Sequence, residues 1–319
     1  MNDISGLQRV LDAGAFAVTG ELGPPKGSDV EVVRRKAAHL KEAVDAVNVT
    51  DNQTAVVRMS SIATCAILRE MAIEPVMQMV CRDRNRIALQ SDLLGAYGLG
   101  IRNVLCLSGD HQRFGNHPQA KNVFDLDSIQ LIQTIKTMRD ESKFLSGDEL
   151  EGSPRMFIGA AASPFSDPFE FRVRRLAKKV AAGAQFIQTQ CIYDLTKFRT
   201  WMTMVRDLGL DEKTHILAGI TPLKSVGMAR YMKNNVAGVD VPDELIERLK
   251  AAGKKDAAEE GIAIAVETIQ EMKSIDGVHG VHVMAIEWEE RVPEIVERAG
   301  LLPRKRVGTE VVAGSQKNG

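Results

Sequence analysis

The sequence predicts a closed parallel (β/α)8 barrel, a TIM barrel, with extra helices before its last strand. Three observations carry that prediction. Strand-length apolar runs alternate with helix-length amphipathic runs about eight times along the chain. The strand runs are apolar throughout rather than alternating, the pattern of parallel strands covered on both faces. The first strand-to-helix turn, Gly23-Pro24-Pro25-Lys26, is not the Gly-rich phosphate loop that an open doubly wound sheet would carry there. With 319 residues, 44% of them hydrophobic, the chain suffices for one large core. A single barrel domain over residues 1–302 and a loose tail over 303–319 are expected.

The first strand is Phe16 to Leu22, closed by Gly23-Pro24-Pro25, which can neither extend a strand nor enter a helix interior. Asp29 to Val44 follows with helical periodicity and a charged face, Arg34, Arg35, Lys36, Lys41 and Glu42, read as solvated. The second strand is Ala46 to Asn52, then a helix over Ser60 to Met71. The third is Pro75 to Cys81, with a helix from about Asn85 to Tyr97, and the fourth Asn103 to Asp110. A long polar connection, His111 to Asp125, reads as functional or disordered. Asp127 or Ser128 caps a helix over Ile129 to Phe144, and Leu145 to Pro154 is a polar insert. Strands five, six and seven are Met156 to Ala162, Gln185 to Ile192 and His215 to Ile220. Their helices cover Glu170 to Ala182, Leu195 to Asp207 and Val226 to Asn234. The added helices are Pro242 to Ala252 and Asp256 to Ser274. Gly280 to Ile286 is the last strand and Glu289 to Ala299 the last helix.

Composition excludes several classes of function. The net charge of −1 and an aromatic content of 5% point away from nucleic acid and from an acidic membrane surface. No apolar run has the length of a membrane span, and the start of the chain lacks the pattern of a signal peptide. Cys65, Cys81, Cys106 and Cys191 form no C-x-x-C pair; the last three fall inside strand-like runs, where buried free thiols are expected. His279 and His282, three apart on one strand, face opposite ways, so no metal site is expected. The chain reads as cytoplasmic.

In such a barrel the carboxyl ends of the strands carry the chemistry. Here they bring together Glu21, Thr50 with Asp51 and Asn52, Gln78 and Arg82, Ser108-Gly109-Asp110-His111, Ser163, Gln190 and Glu287. Many hydrogen-bonding groups and few cations suit a neutral, heteroaromatic, amide-like ligand better than a sugar phosphate. Glu21, among small and apolar neighbours, is expected to be poorly solvated and to act as a general acid; the alternative is an ion pair with a barrel Arg or Lys. Asp110 follows a Ser-Gly turn, where it can face a cofactor or cap a helix. Gln190 is either a ligand reader or a satisfied core amide. Cys81-Arg-Asp-Arg-Asn-Arg86 sets three arginines at a helix start, an anion site or plain surface. Lys178-Lys179 lies in mid-helix, where the pair taken alone reads as a solvated face.

An ordered set of segments resembles the methylenetetrahydrofolate reductase family over residues 16 to 302. The set is Glu21 before Pro24-Pro25, Val47-Asn-Val-Thr50, Leu107-Ser-Gly-Asp110, Lys179 ahead of Ala182-Gly-Ala184, Gln188-Thr-Gln190 and Gly219-Ile-Thr-Pro222. Glu-Leu-Gly-Pro-Pro-Lys-Gly and Cys-Arg-Asp-Arg-Asn-Arg resemble the branch found in acetogenic and related anaerobic bacteria. The resemblance implies a flavoprotein, with FAD as the cofactor and FMN the alternative. Its chemistry would be hydride transfer to 5,10-methylenetetrahydrofolate, giving 5-methyltetrahydrofolate. It assigns Glu21 to protonation of N10, Asp110 to the flavin N1/C2 carbonyl and the pterin, and Gln190 to the pterin. Thr50, Phe124, Asp125, Lys178 and Lys179 fall at flavin-contacting positions; Gln78, Ser108, Gly109, His111 and Ser163 complete the expected cofactor mouth. Three positions depart from the family pattern: Leu22-Gly23 replaces Phe-Phe, Gln78 replaces a histidine, and Ser163-Pro164 replaces Tyr-Pro.

The electron donor implied is NAD(P)H or a partner protein. In better-known members an aromatic residue after the seventh strand stacks on folate and nicotinamide. Here Thr221 to Gly227 holds none, and Val226 stands near that position. An electron-delivering partner is therefore expected, the branch resemblance implies a metal-binding partner subunit, and an oligomeric state is expected too. Two other readings compete: a pterin-dependent methyltransferase barrel, which would lack flavin, and a non-catalytic folate- or flavin-holding subunit.

Overall fold

Parallel pairing closes the sheet on itself. The structure is a computed structural model that describes residues 4–304. Among the described residues eight strands run in the order of the chain around the barrel: β1 Ala17–Leu22, β2 Ala46–Val49, β3 Pro75–Val80, β4 Asn103–Leu107, β5 Phe157–Ala162, β6 Phe186–Cys191, β7 His215–Ile220 and β8 Val278–Val283. β1 pairs with β2 on one side and β8 on the other, setting Glu21 beside Asn48 and Thr19 beside His282. The eight-stranded barrel expected from the sequence is therefore present.

The crossover helices are α2 Val30–Leu40, α3 Ser61–Glu70, α4 Arg86–Gly98, α5 Ser128–Asp140, α6 Phe169–Ala182, α7 Leu195–Asp207 and α8 Val226–Asn235; α9 Asp243–Ala251 and α10 Gly253–Met272 precede β8, and α11 Val292–Arg298 follows it. Their starts are written locally. Asp29, Ser60, Asn85, Asp194 and Ser225 each accept a backbone N–H of the first turn, and Asp127 forms a reciprocal box with Gln130. Leu131, Ile135, Met138, Phe198, Trp201 and Val205 illustrate the apolar faces these helices bury around the sheet. α8, α9 and α10 share a separate apolar cluster through Met232, Ile246, Leu249 and Ile264.

One helix went unread in the sequence. α1, Gly6–Asp12, is capped by Ser5 and closes the amino end of the barrel. Its Leu7, Val10 and Leu11 join Ala17, Ala46, Val76, Leu105, Phe157, Phe186 and Leu217 in one buried layer. The rings of Phe157 and Phe186 stack at 4.9 Å within it. Gly159 on β5 makes room: a Cβ there would lie 2.2 Å from the Phe186 ring.

Other boundaries differ as well. β2, α2 and α5 end three to four residues earlier than expected, at Val49, Leu40 and Asp140, and α10 begins three residues earlier, at Gly253. Four further differences have local reasons. β4 stops at Leu107 because Gly109 turns the chain at φ +90, where a Cβ would lie 3.0 Å from Val80. β8 begins earlier than expected, where Val278 pairs with Ile216, and ends earlier because its partner β7 runs out at Ile220, opposite Val283. The last helix is split into a short 3-10 turn over Glu289–Arg291 and α11, with Pro293 at its start. In the long polar connection, Gln112–Phe114 forms a 3-10 turn and the Val123 amide binds the Arg82 carbonyl, so it has structure of its own.

Of the expected tail, Pro303 and Arg304 are described. Arg304 pairs with the buried Asp45 at 2.6 Å and donates to the Phe16 carbonyl. Residues 305–319 lie outside the described residues. Among the described residues no helix is long and apolar enough to cross a membrane. No group of three or more His, Cys, Asp or Glu among them is placed to hold a metal ion.

Candidate active site

Above the apolar base layer the barrel interior turns polar. Thr19, Asn48, Gln188 and His282 are buried in its middle. Asn48 and Gln188 exchange amide hydrogen bonds at 2.6 and 3.0 Å, and the Gln188 amide also donates to Thr19 Oγ1 at 3.1 Å. Thr19 Oγ1 lies 2.9 Å from His282 Nδ1. The hydroxyl accepts from Gln188; a proton given to Nδ1 would leave Nε2 as the ring N–H, and the Val281 carbonyl at 3.5 Å is the competing acceptor. That Nε2 stands 3.6 Å from Glu21 Oε2, and the Gln78 amide donates to the same oxygen at 3.4 Å.

Glu21 thus sits at the mouth of a hydrogen-bonded column, its side chain 20% exposed. The partners recorded for it are an amide and an imidazole rather than an Arg or Lys. The sequence reading missed the four residues beneath it. The signal was the period-two spacing of Thr19 with Glu21, Asn48 with Thr50 and Gln188 with Gln190, which puts each pair on one strand face. The strands are wholly buried, but their inward face is not wholly apolar.

The loops after β2, β3 and β4 lock together beside this column. Asp110 is exposed, and its Oδ2 accepts the Thr54 amide at 2.9 Å. Arg82 donates to the carbonyls of Asp110 and Asn52 while paired with Asp83. Asn52, Thr54 and Ala55 all hold positive φ, an arrangement that persists only because these contacts over-determine it. The three arginines read as an anion site or plain surface are each committed to a carboxylate: Arg82 to Asp83, Arg84 to Asp51 and Asp92, Arg86 to Asp125. An anion would have to displace those partners, so the run is structural. The Arg86 bonds hold Asp125 down at about 2. Phe124, beside it, is exposed at φ +40. His111 is exposed and caps the 3-10 turn by accepting from the Arg113 amide; the Ser108 carbonyl accepts the Arg82 amide.

Across the mouth, Ser163 at the end of β5 lines a cavity of about 120 Å³ with Arg172, Arg175 and Lys179. Lys179 donates to the Ala161 carbonyl, and burial, with Arg175 nearby, lowers it to about 8. Lys178 is exposed on α6 and does not line this cavity. Gln190 spends its carbonyl on the Cys191 amide at 3.0 Å. All four cysteines are buried free thiols, and burial pushes Cys81 to about 12 and Cys191 to about 11.

Several acceptors at this mouth lack donors. Thr50 is 3% exposed with its hydroxyl unpartnered, and the side-chain carbonyl oxygens of Gln53, Gln112 and Asn122 are likewise buried without a partner. Orphaned polar atoms of this kind are costly unless a ligand or water completes them. A flavin carries a ring N–H, ribityl hydroxyls and a phosphate, which match these acceptors and the Lys179–Arg175 pair.

The sequence pattern of the family described as methylenetetrahydrofolate reductase matches residues 6–300. Methylenetetrahydrofolate reductase 1 of Schizosaccharomyces pombe is 26% identical over 242 residues, covering 74% of this chain and 37% of the relative. Methylenetetrahydrofolate reductase 2 of Saccharomyces cerevisiae is 27% identical over 243 residues, covering 73% and 38%. The chain therefore spans little more than a third of the length of these yeast proteins. Methylenetetrahydrofolate reductase (NADH) 1 of Arabidopsis thaliana is 23% identical over 322 residues, covering 96% of this chain and 52% of that protein. Among solved structures, a Clostridium thermocellum protein described as binding two copies of 5-methyl-5,6,7,8-tetrahydrofolic acid superposes with a TM-score of 0.59. It is 13% identical and covers 92% of this chain and 96% of its own. That likeness is one of fold.

Proposed function

The chain belongs to the methylenetetrahydrofolate reductase family, and from that premise we propose that it reduces 5,10-methylenetetrahydrofolate to 5-methyltetrahydrofolate with a flavin bound across the barrel mouth. The observation that carries the reading is Glu21, a carboxyl group at the mouth, held by the Gln78 amide and the His282 imidazole. A flavin, FAD in first place and FMN as the alternative, would supply the hydride that the methylene carbon accepts. Glu21 gives its proton to N10 as the bond from N10 to that carbon breaks. The N–H groups of Gln78 and His282 then hold the carboxylate left behind. Gln190 reads the pterin through its free amide N–H. Asp110 meets the pterin and flavin edges by exchanging the Thr54 amide for a ligand N–H. Thr50, Lys179 and Ser163 hold the cofactor. The fold shared with a protein described as binding 5-methyltetrahydrofolic acid supports the substrate class.

The test is reconstitution with FAD and with FMN, anaerobic reduction, and mixing with 5,10-methylenetetrahydrofolate. The expected result is return of the oxidised flavin spectrum with one 5-methyltetrahydrofolate formed per flavin. A protein that binds neither flavin, or whose reduced form ignores the folate, would refute the proposal.

A further inference from the structure

β6 and β7 fall out of step near the mouth. Gln188 stands opposite Leu217 but Cys191 opposite Gly219, so Thr189 and Gln190 together face the single residue Ala218. This is a β-bulge, a feature that re-aims the side chain it carries. Gly219 makes room for it: a Cβ there would lie 2.3 Å from the Thr189 carbonyl oxygen and 2.8 Å from that of Gln190. Thr189, buried, stitches the bulge in place. Its Oγ1 accepts the Gly219 N–H at 2.9 Å and donates to the Gln190 backbone carbonyl at 2.8 Å. One hydroxyl thus ties the neighbouring strand to the displaced residue.

The bulge also decides how the Gln190 side chain is turned. Its Oε1 accepts the Cys191 backbone N–H at 3.0 Å, and because that group can only donate, the amide carbonyl must face the strand. The Cys191 thiol, which burial keeps protonated, is a second donor to the same oxygen at 3.3 Å and lies 3.1 Å from Thr221 Oγ1. What remains of the amide is its NH2, two donors and no acceptor. A glutamine free to rotate loses side-chain entropy when a ligand binds; one fixed beforehand does not. We propose that Thr189 is the positioning residue for Gln190: by fixing the bulge it holds the amide ready as a donor, so that the pterin edge read there is an acceptor, a carbonyl or an unprotonated ring nitrogen. The inference rests on the reading of Gln190 as the pterin-binding amide.

The experiment is a double-substitution cycle of the native chain, Thr189→Val, Gln190→Ala and the two combined. Each protein is reconstituted with flavin and titrated with 5-methyltetrahydrofolate by calorimetry. Thr189→Val is expected to weaken folate binding by about three- to tenfold, the worth of one ordered hydrogen bond. Thr189→Ser keeps the hydroxyl and should stay within about twofold of native. In the Gln190→Ala background, Thr189→Val should change affinity by less than about twofold, because no amide is left to aim. Should the valine protein not fold, Thr189→Ala, which sets no methyl group against the Gly219 N–H, runs the same cycle. Equal losses in both backgrounds, or a serine protein as weak as the valine one, would mean that Thr189 only supports the fold and would overturn the proposal. Loss in Gln190→Ala with none in Thr189→Val would refute the positioning alone. Affinity untouched by Gln190→Ala would instead refute the pterin reading of Gln190, and the inference with it.

Discussion

At Glu21 the proposed chemistry depends on a single proton. Glu21→Gln keeps the shape and the contacts to Gln78 and His282 while removing the acid. Folate reduction is expected to fall by about 10²–10⁴-fold, with flavin and folate affinity within a few-fold of the native values; single-turnover oxidation of reduced protein checks this. Activity close to native would return Glu21 to a structural role. Lys179 makes a second prediction, in pH. Burial lowers it from its ordinary value to about 8, so between about 8 and 10.4 the folded chain binds fewer protons than the unfolded one. The cost of burying its charge is therefore present in full below pH 8 and is relieved as pH rises through that window. An anionic cofactor needs the charged form. Flavin affinity, read by fluorescence quenching, should weaken steadily above pH 8, approaching about tenfold per unit, and Lys179→Met should flatten the profile.

Among the elements, α1 is the one whose contribution can be isolated. Leu7 and Leu11 are at most 2% exposed and lie against the inward base layer of the sheet, far along the strands from the mouth. Leu7→Ala should lower stability by about 2–5 kcal/mol, seen as a reduced urea midpoint at unchanged slope, while the flavin spectrum of the reconstituted protein stays native. A shift below about 1 kcal/mol would mean that the helix merely rests on the barrel. Strand pairing explains why this separation is available. β1 presents Ala17 to the base, Thr19 to the polar column and Glu21 to the mouth, so one strand serves stability and chemistry at successive levels.

For the molecule as a whole, the open question is where the electrons enter. The β7 loop carries no aromatic side chain, and Val226 begins α8 behind its Ser225 cap. The Lys224 ammonium of that loop and the Arg291 guanidinium lie over the Trp288 ring at 5.2 and 5.6 Å. A nicotinamide would therefore forgo about 0.5–1.5 kcal/mol of stacking. The isolated chain is expected to be reduced slowly by NADH and NADPH in stopped flow, and faster once a partner electron carrier is added. Rapid reduction by either nucleotide alone would overturn this expectation.

The sequence by itself determined the barrel, because eight apolar strand runs and their capped helices are local patterns with only one economical closure. It also determined which residues could reach the mouth, since strand ends are marked by Gly, Pro and polar groups: Glu21, Thr50, Gln78, Asp110 and Gln190 were all legible. Partners were not. That Asp110 binds the Thr54 amide, that Arg86 is spent on Asp125, and that Lys179 rather than Lys178 turns inward depend on chain segments tens of residues apart or on helix phase against the sheet. The column of Asn48, Gln188, Thr19 and His282 was hidden for the same reason. Each looks like an isolated polar residue in an apolar strand, and only closure of the barrel brings four strands close enough for their side chains to satisfy one another.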